Sequence, residues 1–80
     1  MNIKILLFGV TRDMIGESTL DIQVSEGQNV GEMLEDLKTR FPELSKLRSL
    51  LVAVNDEYAE EGKVLNQSDE IALIPPVSGG

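Results

Sequence analysis

The sequence contains no cysteine and no histidine. Without cysteine there is neither a disulfide framework nor a thiolate metal site. Without histidine the commonest metal ligand and the usual general base near neutral pH are both missing. Triads built on Ser-His or Cys-His are therefore excluded. Cations are scarce too, with seven Lys and Arg against fourteen Asp and Glu, a net charge of −7. Nucleic-acid binding needs clustered cations to neutralise phosphates, and anionic membranes repel such a chain. No apolar run approaches the roughly 20 residues of a membrane span. Met1-Asn2-Ile3-Lys4-Ile5 lacks the basic segment and cleavage site of a secretory signal. These absences predict a cytoplasmic protein that uses neither nucleic acid nor membrane as a partner.

What is present suits a small soluble domain: 80 residues, 41% of them hydrophobic and 26% charged. The length allows one domain with a thin core. The acidic surface suits solubility or a basic protein partner.

Ile3 to Val10 is apolar on both parities, the pattern of a strand covered on both faces. Thr11 to Glu17 reads as a loop or short helical turn. Leu20, Ile22 and Val24 alternate with polar residues, which predicts a strand with one wet face. Asn29 and Glu32 have capping-box spacing. Val30, Met33, Leu34, Leu37 and Phe41 then follow at helical intervals, and Pro42 ends the helix. Glu43 to Leu47 reads as a tight turn with Leu44 and Leu47 inward. Leu50 to Val54 predicts a second buried strand, Asn55-Asp56 a turn, and Tyr58-Ala59 a short strand. Ile71 to Ile74 is the last strand, and Pro75-Pro76 ends its ladder. One helix packed across a mixed sheet gives two layers around one core. With the first and last strands paired, this is an α+β fold of the β-grasp, or ubiquitin-like, arrangement.

Few residues offer chemistry. Glu35 and Asp36 lie off the helix stripe and read as a solvated face. Asp56, Glu57, Glu60 and Glu61 crowd one segment without the spacing of a calcium loop, so no metal site is expected. Ser45, Ser49 and Ser68 have no base to activate them. Phe41 reads as core, whereas Phe8 and Tyr58 fit either the core or an exposed contact.

The sequence closes on Gly79-Gly80. A terminal carboxylate reacts only if it reaches another protein's active site. Two glycines, lacking Cβ atoms, make the thinnest thread for that purpose. Pro75-Pro76 would project the thread away from the sheet. The expected division is therefore a domain over residues 1–76 and a flexible tail over 77–80.

Three segments carry a family resemblance: Ile71 to Gly80 with its Ile-Pro-Pro-Val-Ser-Gly-Gly ending, Val52-Ala53-Val54-Asn55, and Ile5-Leu6-Leu7-Phe8-Gly9. Together they resemble the small subunit of molybdopterin synthase over essentially the whole chain. The resemblance implies a sulfur carrier in molybdenum cofactor biosynthesis that binds no cofactor itself. An E1-like adenylyltransferase would use ATP to adenylate the Gly80 carboxylate. A persulfide would then displace AMP and leave a thiocarboxylate. The tail would enter the large synthase subunit and donate sulfur to a pyranopterin precursor, with Gly79 giving clearance. The catalytic side chains would belong to the large subunit, in a heterotetramer. Phe8, Tyr58, Ile74, Pro75, Pro76 and Val77 are the positions the resemblance assigns to partner binding, and Tyr58 departs from the aliphatic residue expected there. Three other readings stand beside it: a carrier for another pathway such as thiamin synthesis, a ubiquitin-like protein modifier, and a plain binding module.

Overall fold

In the computed structural model, which describes residues 1–76, strand β1 (Asn2–Leu7) pairs antiparallel with β2 (Thr19–Gln23). Ile3 faces Ile22 and Ile5 faces Leu20 across the pair. The last strand, β5 (Ile71–Ile74), lies parallel to β1 with Ile5 opposite Ile71. On its other side β5 is antiparallel to β3 (Leu51–Val54), which turns back into the short β4 (Glu57–Tyr58). The order across the sheet is β2-β1-β5-β3-β4. The first and last strands thus pair as expected, and the two apolar strands β1 and β3 flank the central β5.

Helix α2 (Val30–Arg40) crosses one face of this sheet and buries Val30, Met33, Leu34 and Leu37. Its start is the anticipated capping box: the Glu32 N–H donates to Asn29 Oδ1 at 2.9 Å, and the Asn29 N–H donates to Glu32 Oε1 at 3.0 Å. Two further N–H groups of the first turn are taken up by the 61–63 segment. Val30 donates to the Lys63 carbonyl and Gly31 to that of Glu61, each at 2.9 Å. Pro42 ends α2 and opens a 3₁₀ helix (Pro42–Lys46) that tucks Leu44 into the core. Phe41 is half-buried against that core, with the Arg40 guanidinium 5.5 Å from its ring centre. The architecture is the α+β β-grasp expected.

Two local expectations need correction. The first strand stops at Leu7: Val10, read as part of it, lies in a helix, α1 (Gly9–Ile15), which takes the helical of the two readings given for Thr11 to Glu17. The cause is Thr11, whose buried hydroxyl donates to the Phe8 carbonyl at 2.6 Å and accepts from the Phe8 N–H at 3.2 Å. Gly16, at φ 84°, closes the helix by donating to the Arg12 carbonyl. The second correction is that the apolar strands are covered on one face only. Ile3, Ile5, Leu7, Val52 and Val54 are buried, but Leu6 is half-buried and Leu51 is 51% exposed.

Candidate functional site

The sheet face opposite α2 carries the side chains that alternate with the buried ones. At one end it is polar: Asn2 and Lys4 of β1 face Gln23 and Asp21 of β2. At the other end Leu6, Phe8, Ala53, Tyr58, Ala72 and Ile74 line a shallow groove of about 290 Å³. Ladder register explains the composition. Ala53 pairs with Ala72 on one side and Tyr58 on the other, so two small residues form a floor beneath larger ones.

Each wall of the groove has a local cause. Phe8 is extended (φ −128°, ψ 153°), and Thr11 fixes its backbone at the junction of β1 and α1. The residue is 41% exposed. Tyr58 follows a two-residue turn in which Asn55 (φ 53°) and Asp56 (φ 69°) both adopt left-handed conformations, the mark of a type I′ hairpin. It is 71% exposed. Both aromatics whose burial the sequence left open therefore belong to the surface. Ile74 is half-buried at the end of β5, opposite Leu51.

The chain leaves the sheet beside this groove. Pro75 and Pro76 are half-buried. Pro75 lies against Gly9, where a Cβ would come within 3.2 Å of the Pro75 ring and φ is +54°. The structure thus gathers Phe8, Tyr58 and Ile74 on one face, with the Pro-Pro exit following directly on Ile74. Val77, Gly79 and Gly80 lie outside the described residues. Sequence reasoning missed Leu6, Ala53 and Ala72, which its own alternation could have placed, and missed Gly9 as the seat of Pro75.

The described residues offer a surface rather than a reaction centre. No three Asp or Glu side chains among them converge as a metal site requires. The first-turn N–H groups of α2 are occupied by Asn29, Glu61 and Lys63, which leaves no donors aimed at an anion. No buried side-chain polar atom among them lacks a partner.

The ThiS family model matches residues 5–80. The chain belongs to the ThiS family. Within it, the molybdopterin synthase sulfur carrier subunit of Arabidopsis thaliana is 37% identical, over all of this chain and 84% of that protein. The human protein of the same name is 34% identical, over 98% of this chain and 93% of that one. Among solved structures, SAMP1 from Haloferax volcanii superposes with a TM-score of 0.86 at 30% identity, covering both chains completely. A chain from the complex of subunits 1 and 2 of the molybdopterin-converting factor of Helicobacter pylori 26695 gives 0.69 at 26% identity, again with full coverage of both. The resemblance to the small subunit of molybdopterin synthase, drawn from the Ile5–Gly9, Val52–Asn55 and Ile71–Gly80 segments, is borne out by the family match together with these full-length relatives. No helix among the described residues is long and apolar enough to cross a membrane.

Proposed function

We propose that this ThiS-family chain is the sulfur-carrier subunit of a molybdopterin synthase and that it docks on the large subunit through its open sheet face. The full-length match to sulfur carrier subunits of that enzyme carries the reading. The grouping of Phe8, Tyr58 and Ile74 beside the Pro75 exit supports it, as does the existence of a subunit 1–subunit 2 complex among its structural relatives. In this reading an E1-like enzyme in the cytoplasm adenylates the Gly80 carboxylate at the expense of ATP, releasing pyrophosphate. The outer sulfur of a donor persulfide then displaces AMP to give an acyl disulfide, and a thiol cleaves its sulfur–sulfur bond, leaving the thiocarboxylate and a new disulfide on the donor side. The chain binds no cofactor of its own, and the acids and bases of the transfer step come from the large subunit. The assembly is a heterotetramer with two carriers.

The absence of cysteine makes the proposal easy to test, because a thiocarboxylate would be the chain's sole reactive sulfur nucleophile at neutral pH. Incubation with the activating enzyme, ATP and a sulfur source should replace one oxygen by sulfur, as read by mass spectrometry. Iodoacetamide should then alkylate Gly80 alone. The full-length likeness to SAMP1, described as a small archaeal modifier protein in other solved structures, favours protein modification as a second reading. Stable conjugates to lysines without any thiocarboxylate would decide for that alternative and against sulfur carriage.

A further inference from the structure

The open-face groove is not purely apolar. Asp56 and Glu70 line it at the β3–β4 turn, and no Lys or Arg does. The two carboxylates sit on separate segments that Asn55 ties together. The Asn55 N–H donates to the Glu70 carbonyl at 2.8 Å, and its Oδ1 accepts from the Glu70 N–H at 3.0 Å. Its amide nitrogen donates to Asp69 Oδ1 at 3.0 Å. Asp69 is spent internally, since its other oxygen accepts from the Asn66 N–H at 2.8 Å. Asp56 and Glu70 are exposed, and their carboxylates accept no hydrogen bond from other described residues.

A protein that covers Tyr58 and Ile74 also strips water from this pair. Desolvating two carboxylates without a counter-charge is costly, and a purely apolar partner would be rejected for that reason. We propose that the groove receives a partner segment with a Lys or Arg side chain seated between Asp56 and Glu70, and that this contact selects the partner. The proposal rests on the docking reading above and adds the chemistry of the docked segment.

The test compares two double variants of equal charge change. D56N/E70Q neutralises the groove carboxylates, and E60Q/E61Q neutralises an exposed pair outside it. Surface plasmon resonance with the large subunit, at low and physiological ionic strength, reads both rate constants. The general loss of negative field should slow association in both variants. Dissociation should become about tenfold faster for D56N/E70Q and stay unchanged for E60Q/E61Q. Equal dissociation in the two variants overturns the proposal, because charge would then act only at long range. Failure of the unaltered chain to bind the large subunit would instead overturn the docking reading, and the proposal with it.

Discussion

Thr11 decides where the first strand ends. Its hydroxyl takes the part of the N3 side chain in a capping box and accepts from the Phe8 N–H, while its own N–H donates to the Phe8 carbonyl at 3.2 Å, because phenylalanine has no side-chain oxygen to offer. That role was illegible in the sequence, where Val10 extended the apolar run and a seven-residue helix gave too little periodicity to register. Gly9 was equally silent, since its positive φ and its contact with Pro75 exist only once β1 and β5 lie side by side. Thr11→Val keeps the shape and removes the hydroxyl. The Phe8 N–H then loses its acceptor in a partly buried position, a cost of about 1–3 kcal/mol. Urea denaturation should show a lower midpoint with an unchanged m-value, because the core and the surface exposed on unfolding stay the same.

Helix α2 was the best-read element because three independent signals coincide there. Its apolar stripe, the Asn29–Glu32 pair and Pro42 each mark a different part of it, and all three are local. What lay beyond local reading is the docking of residues 61–63 on its first turn. Gly31 makes that approach possible: a Cβ there would stand 3.1 Å from Glu61 Cβ. The β3–β4 turn was read correctly as a turn at Asn55-Asp56, but its stitching to Glu70 depends on a partner fifteen residues along the chain. Asn29→Ala removes the acceptor for the Glu32 N–H while the Glu61 and Lys63 carbonyls still hold the neighbouring donors. The expected loss is about 1 kcal/mol of unfolding free energy. Thermal melting checks it, and a loss several times larger would mean that Asn29 also holds the 61–63 segment in place.

At the scale of the whole molecule, the described sheet ends at Ile74. Among the described residues every fully buried hydrophobic side chain lies between Ile3 and Leu73, and the last ladder partner is Ile74. The sheet depends on β5, its central strand, so a cut before residue 71 would remove the partner of both β1 and β3. A cut after residue 78 removes no core contact and no ladder bond among those seen. The layered architecture was legible because strand, helix and terminal pairing each leave a pattern in hydrophobicity. The apolar end of the open face was not, since it arises from register, with Ala53 opposite both Ala72 and Tyr58. Deleting Gly79-Gly80 should therefore leave the melting temperature unchanged, while ATP-dependent sulfur loading is lost completely. Affinity for the large subunit should fall only in part, because the groove proposed to dock on it stays whole. If the shortened chain unfolds several degrees earlier, the glycines belong to the scaffold, and the division between residues 1–76 and the tail is wrong.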